Sequence, residues 1–284
     1  MPKDESNLDK FNNLRHNQSM RITLITGDAP RHQHLFSKLQ LTGLDIQWFI
    51  EKRNRLGTNF KITDKKIKDF AHLHFEDWRE SEHSFFNSTN KILRSNSKIS
   101  IVSSSTINGD YIDQIKDWDP KLIISYGCSK IGPNIIELPG IKKINIHGGL
   151  SPWYRGTITN FWPTYLLEPQ FTGMTLHETT NQIDGGKIFF QTSITVDSNL
   201  GINQNSCVAI LDFINQFTNL IEINLGKILY AEGINQISSG RIWTNSMWSP
   251  HHLAFVYGYM NNEINRYCIE NELLERQPCL INVF

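Results

Sequence analysis

Along the first half of the chain, short apolar runs rich in β-branched residues alternate with stretches of helical spacing. The run RITLIT, Arg21 to Thr26, stops at Gly27-Asp28 and predicts a first strand. In APRHQHLFSKLQL, Leu35, Phe36 and Leu39 share one side of a helix. DIQWFIE predicts a second strand, followed by a polar, Lys-rich stretch from Asn54 to Asp69 and an aromatic, Glu-rich helix from His72 to Asn87. KISIVSS and KLIISYG read as two further buried strands with the helix GDYIDQIKDW between them. A short helix at PNIIEL and a strand at KKINIH complete the alternation.

Strands alternating with helices predict an α/β fold with a doubly wound, mostly parallel sheet. Ligands in such sheets sit beyond the carboxyl ends of the strands, where Gly27-Asp28, Gly127-Cys128 and His147-Gly148 all fall. Further on, TNFWPTYLLE has a helical pattern with Pro163 required near a start or a kink. TGMTLHETT and GGKIFFQTSITV alternate like two strands around NQIDGG. A long helix from Asn203 to Ala231 carries Val208, Leu211, Ile214, Phe217 and Ile221 at apolar positions. Three segments follow: a polar, loosely attached arm at 1–20, a main α/β domain at 21–231 and a C-terminal extension at 232–284.

Hydrophobic residues make up 39% and charged residues 20% of 284, enough for one sizeable core with extensions. Lys and Arg total 28, as do Asp and Glu, so no net positive charge favours a nucleic-acid partner. Cys128, Cys207, Cys268 and Cys279 form no CxxC pair, so reduced thiols are expected and neither zinc nor disulfides. His72, His74, His251 and His252 lack nearby cysteine or carboxylate spacing and read as surface histidines; no metal is expected. No apolar run reaches the length of a membrane span and the start lacks a signal-peptide core, so a cytoplasmic location is expected.

NIHGGLSPWYRG places Asn145 and His147 two apart at the end of an apolar run. A neutral histidine can take and return a proton. An asparagine amide can donate to an oxygen gaining negative charge in a tetrahedral intermediate. Asp184 in IDGG can orient the histidine or a water and stabilise the imidazolium. Together these supply acyl transfer to an amine without a covalent nucleophile. Taken singly, a strand-end histidine is more often a structural one, and IDGG is more often a plain turn.

The block from Ser125 to Gln191 resembles the catalytic core of the N10-formyltetrahydrofolate-dependent formyltransferases. The resemblance rests on the order Asn145-x-His147, Leu150 and Pro152, Arg155-Gly156, Gly173 to His177, then Asp184-Gly185-Gly186. It implies a Rossmann-like formyltransferase fold, N10-formyltetrahydrofolate as co-substrate and a small-molecule amine as acceptor. It assigns the acid/base to His147, the oxyanion contact to Asn145, and support of the histidine or a water to Asp184. Folate binding would fall to Gly127, Cys128, Ser129, Lys130 and Ile131 in one loop and to Thr180, Ile183 and Gly185 in another. One departure is Gly149, where the family commonly has a serine; Ser151 carries the hydroxyl two residues later. A Ser151–His147–Asp184 hydrolase is conceivable but lacks a G-x-S-x-G elbow.

The resemblance leaves three acceptors: methionyl-tRNA, glycinamide ribonucleotide and nucleotide-linked amino sugars. Zero net charge disfavours tRNA, and the wording around LSPWYRG looks closer to sugar-modifying members, so a nucleotide-linked amino sugar is expected. Trp153, Tyr154 and Arg155 are the expected acceptor contacts beside the histidine, by aromatic stacking or, equally, as packing residues. Gly27 and Asp28 before a helix start, helped by Arg31 and His32, form a second expected contact, although Asp28 would repel phosphate. Passing the formyl group to water, or binding folate without turnover, are the alternatives. Trp243, Trp248 and Tyr257 fit either a homodimer interface or packing on their own domain.

Overall fold

The computed structural model describes residues 20–52, 62–86, 98–103, 107–238 and 240–284. The arm up to residue 19, residues 54–61 of the Lys-rich stretch and Asn87 lie outside the described residues. Strands β1 (Arg21–Thr26), β2 (Asp45–Lys52), β3 (Lys98–Ser103), β4 (Leu122–Tyr126) and β5 (Lys142–His147) fall on the predicted runs, but β3, expected to be buried, is an edge strand with Ile99 and Ile101 exposed. β6 (Arg155–Gly156), β7 (Gly173–Glu178), β8 (Ile188–Ser193) and β9 (Ile242–Trp243) follow. The helices are α1 (Pro30–Leu41), α2 (Lys65–Phe86), α3 (Ile112–Trp118), α4 (Pro133–Ile136), α5 (Trp162–Tyr165), α6 (Ile202–Tyr230) and α7 (Ile264–Glu270).

Seven strands form one sheet in the order β3-β2-β1-β4-β5-β7-β8. The first five neighbours are parallel, whereas β7 is antiparallel to both β5 and β8. Period-2 alternation sends one parity of residues to each face. Ile22, Leu24, Ile46, Trp48, Leu122, Ile124, Ile144, Ile146, Met174 and Leu176 join a core with Leu35 and Leu39 of α1 and Phe213, Ile214 and Phe217 of α6. The other parity supplies Ile25, Phe49 and Ile123 to a second core with Ile115 of α3 and Ile135 of α4. Helices thus cover both faces of the parallel part, the doubly wound arrangement expected. The second of these cores draws no residue from β5, β7 or β8. On that face, the other-parity positions of β5 and β7 are left for chemistry.

Three predicted elements change. α2 starts at Lys65, inside the polar, Lys-rich stretch: Ile67, Ala71 and His74 form a buried stripe that interspersed lysines disguise. TNFWPTYLLE forms only the single turn α5, with Pro163 at its start as required. α6 is kinked at Asn224, whose side-chain Oδ1 accepts the Lys227 N–H at 3.0 Å and caps a restarted final turn.

The C-terminal segment builds a third core. Trp243, Trp248, Leu253 and Val256 pack with Leu150, Tyr154, Phe161 and Trp162. Trp243 stacks on Trp162 at 4.5 Å between ring centroids, and β9 pairs with β6 right after the loop that follows β5. These tryptophans are packed on their own chain. His74 corrects the reading of surface histidines: it is only 4% exposed, and its Nδ1 lies 3.0 Å from the Tyr257 hydroxyl. Alanine and phenylalanine neighbours on α2 bring it inward, where α6 and the C-terminal segment meet. His252 likewise packs edge-on against Trp162 and Tyr165.

Candidate active site

The register of the sheet assembles the site. Ile144 and Ile146 face the α1–α6 core, so Asn145 and His147 must face the other way. The pairing sets Ser125 of β4 beside Asn145, and Asn145 beside His177 of β7; His147 is opposite Thr175. This row carries a hydrogen-bond chain. Ser125 Oγ donates to Asn145 Oδ1 at 2.8 Å, fixing the amide so that Nδ2 points outward. Nδ2 lies 3.1 Å from His177 Nε2 and donates to Asp184 Oδ1 at 3.4 Å.

His147 is 5% exposed, with Nε2 2.7 Å from the Tyr154 carbonyl and Nδ1 3.4 Å from Asp184 Oδ2. Burial, which disfavours the imidazolium, pulls its pKa below the ordinary histidine value; the Asp184 charge and the Tyr154 carbonyl oppose this without reversing it. The neutral ring with Nε2–H on the Tyr154 carbonyl leaves a lone pair on Nδ1, on the side of Asp184. Burial alone would raise the Asp184 carboxyl. The charge interaction with His147, the His177 ring and the Gly156 N–H hold it well below the usual carboxylate range. Gly156 N–H donates to Asp184 Oδ2 at 2.8 Å, and His177 Nε2 lies 3.3 Å from Oδ1.

Gly149 is explained by the same geometry. A Cβ there would stand 2.5 Å from the Tyr154 carbonyl oxygen and 2.8 Å from His147 Nε2. A serine at this position has no room while the histidine is held as it is. Ser151 is fully buried, and its hydroxyl donates to the Asp184 carbonyl at 3.4 Å. Among the described residues no hydrogen bond joins Ser151 to His147, as a Ser/His nucleophile pair would need.

The other candidates have definite places. The loop 127–131 after β4 is latched by Glu51, a fully buried carboxylate at the end of β2. Ser129 N–H donates to Glu51 Oε2 at 2.8 Å and Ser129 Oγ to Oε1 at 2.7 Å. Asn108 holds the far side, donating to the Lys130 carbonyl at 3.1 Å and accepting the Gly132 N–H at 2.6 Å. Ile131 is buried and Cys128 half-buried, while Gly127 takes a left-handed φ of 58°. In the loop 180–186, Thr180 accepts the Gln182 N–H, Ile183 is exposed, and Gly185 and Gly186 follow Asp184.

Arg155 is 6% exposed, its guanidinium turned onto the Ile183 carbonyl with Nε at 2.9 Å. Tyr154 is buried, its hydroxyl donating to Glu168 Oε2 at 2.8 Å, and half-buried Trp153 lies edge-on to Phe171. Gly27 and Gly127 border the point between β1 and β4 where the strand order reverses. There His32 fills the crevice: a Cβ on Gly27 or Gly127 would lie 2.8 or 2.6 Å from its ring. His32 Nδ1 accepts the Ala29 N–H at 3.1 Å, and the Arg31 guanidinium is ion-paired with Glu82. Asp28 is half-buried beside them.

Sequence reasoning missed Glu51, Asn108 and Gln236, and used His177 only as the end of a motif. Gln236 Nε2 donates to the carbonyls of Asp184 at 2.7 Å and Gly186 at 2.9 Å. Glu51 had one available signal, a carboxylate at the carboxyl end of an otherwise apolar strand. Among the described residues no helix is long and apolar enough to cross a membrane.

Residues 22–205 match the family model for formyl transferase. Among curated proteins, the bifunctional polymyxin resistance protein ArnA of Wigglesworthia glossinidia brevipalpis is 31% identical over 171 residues, 58% of this chain and 25% of that one. The methionyl-tRNA formyltransferase of Borrelia duttonii (strain Ly) is 26% identical over 158 residues, 54% of this chain and 49% of that one. The chain therefore spans about a quarter and about half the length of these two relatives. In fold, it is similar to a sugar N-formyltransferase from Shewanella sp FDAARGOS_354, with TM-score 0.51 and 14% identity over 80% of this chain and 78% of that one. It is also similar to a 4-N formyltransferase from Francisella tularensis, with TM-score 0.50 and 18% identity over 80% and 77%. Because the family model covers well over half of its residues, the chain belongs to the formyl transferase family.

Proposed function

We propose that the protein transfers the formyl group of N10-formyltetrahydrofolate to the primary amine of a nucleotide-linked amino sugar. The observation that carries this reading is the convergence of Asn145, His147 and Asp184, each within 3.4 Å of another, in a chain of this family. The folate supplies an activated formyl carbon. Residues 127–131 and 180–186 would hold it: both loops adjoin the convergence, one following Ser125 on β4 and the other containing Asp184.

The chain's own groups then have defined tasks. Asn145 Nδ2, aimed by Ser125, donates to the formyl oxygen as it becomes an oxyanion. His147 Nδ1, neutral because the ring is buried, takes the proton of the attacking amine. The Asp184 carboxylate stabilises the resulting imidazolium, and the proton goes on to the departing folate nitrogen. Trp153, in the loop after β5, would stack on the acceptor, whereas Arg155 acts through the Ile183 carbonyl. No metal takes part in this reading.

The amino-sugar acceptor is supported by zero net charge and by the likeness in fold to a sugar N-formyltransferase. A second reading, methionyl-tRNA as acceptor, is favoured by the sequence similarity to methionyl-tRNA formyltransferases. The test is release of folate product by purified protein with a panel of amines and a no-amine control. Release only with an amino sugar supports the proposal; release only with charged tRNA selects the second reading. Release without any amine makes the protein a hydrolase, and folate binding without release a binding module.

A further inference from the structure

Asp184 adopts a left-handed backbone conformation, φ 43°, which costs a residue with a side chain about 1–2 kcal/mol. Such a turn persists only when its surroundings hold it. Here, three side chains donate to backbone carbonyls around the carboxylate. Arg155 donates to Ile183, Ser151 to Asp184, and Gln236 to both Asp184 and Gly186. Arg155 and Ser151 come from the loop that also carries the Tyr154 carbonyl. Gln236 comes from the C-terminal segment, 52 positions along the chain from Asp184.

Gln236 is itself anchored. Ile234 and Ile188 of β8 exchange two backbone hydrogen bonds of 2.8 Å, tying the segment to the sheet two residues earlier. Its amide orientation is costly: Nε2 serves the loop while Oε1 is buried without a hydrogen-bond partner among the described residues. An orientation that leaves an acceptor unsatisfied is retained where the donor side is what matters.

We infer that Gln236 is a positioning residue for the reaction, holding the 183–186 turn so that the Asp184 carboxylate stays aligned with His147. The inference rests on the functional reading above for its catalytic consequence. It makes the C-terminal segment part of the active-site machinery. The groups that face His147 are Asp184, His177 and Arg155, with the Tyr154 carbonyl on its other nitrogen.

The test uses two variants of the full chain. Gln236→Met keeps length and removes the donor; Gln236→Lys keeps a donor for the two carbonyls and removes the stranded acceptor. The His147 ring is titrated by NMR, and turnover is measured in parallel. With the carboxylate released, His147 loses the charge that opposes its burial, so in Gln236→Met its titration moves to lower pH. Turnover falls about 10- to 100-fold at unchanged melting temperature, the scale of a small misplacement of a reacting group. Gln236→Lys restores turnover. A Gln236→Met protein with wild-type His147 titration and turnover within about twofold, well short of that loss, overturns the inference. If the wild type transfers formyl to no amine, the functional reading fails while the titration still decides the positioning role.

Discussion

At the scale of single residues, the chemistry follows from parity. The tetrapeptide Ile144-Asn145-Ile146-His147 places two apolar side chains in one core and two polar ones on the opposite face. That much is legible in the letters, as is the partnership with Asp184. What tunes the pair is not, because it comes from backbone atoms and distant chain: the Tyr154 carbonyl, the Gly156 N–H and Gln236. Two predictions belong here. On the proposed function, Asn145→Ala removes one donor to a developing oxyanion and lowers kcat by about 10²–10³, measured by steady-state kinetics with folding checked by circular dichroism. For pH, burial lowers the His147 pKa, so the ring stays neutral, as the proposed base must be, to below the ordinary value of about 6.5. The acid limb of kcat/KM therefore lies below that value. Asp184→Asn, which removes the charge that raises this pKa, moves the limb further down while reducing the maximum. A limb that moves up contradicts the assignment.

At the scale of elements, the loop 127–131 beside the convergence is held by groups outside it. Glu51 grips Ser129, and Asn108 grips Lys130 and Gly132. Glu51→Ala leaves the Ser129 N–H and hydroxyl unsatisfied, and on the proposed function it raises KM for the folate more than it lowers kcat. Equal effects on both would place Glu51 in the chemistry. Gly127→Ala places a methyl group 2.6 Å from His32 Nε2 at a φ of 58°, so it destabilises by more than the roughly 1–2 kcal/mol of a left-handed residue alone, measured by chemical denaturation. The strands and the long helix were readable because their periodicity is dense. The start of α2 was hidden by lysines on its exposed face, and the turn at α5 was over-read because apolar residues there serve a core rather than a helix stripe.

At the scale of the whole molecule, the alternation of strands and helices foretells a doubly wound sheet but not the reversal at β7. Direction is decided by pairing partners, which the alternation does not encode. The third core was hidden for a similar reason: its tryptophans are scattered between residues 153 and 248 and meet only after β6 pairs with β9. His74 records the join of α2, α6 and the C-terminal segment. Burial pushes its pKa down to about 4, against 6.5 for a free histidine. Its surroundings are the Tyr257 hydroxyl, Asn203 and Asp77, the last held by Asn203. The unfolded chain binds this proton first, so stability is lost as pH falls from about 6.5 toward 4. The loss is about 3 kcal/mol when complete, and smaller in His74→Phe. Denaturant titrations at pH 7 and pH 4.5 check this; equal slopes of stability with pH in both proteins contradict it.

The central claim, transfer of a formyl group to an amine by Asn145, His147 and Asp184, is tested most directly with carbon-13-labelled formyl on the folate donor. Carbon NMR then follows the label with a nucleotide-linked amino sugar present, in wild-type protein and in His147→Ala. The account predicts a new formamide signal on the sugar that grows with wild type and slows by about 10²–10⁴ in the variant. Label released as free formate, or a formamide signal that His147→Ala leaves unchanged, contradicts it.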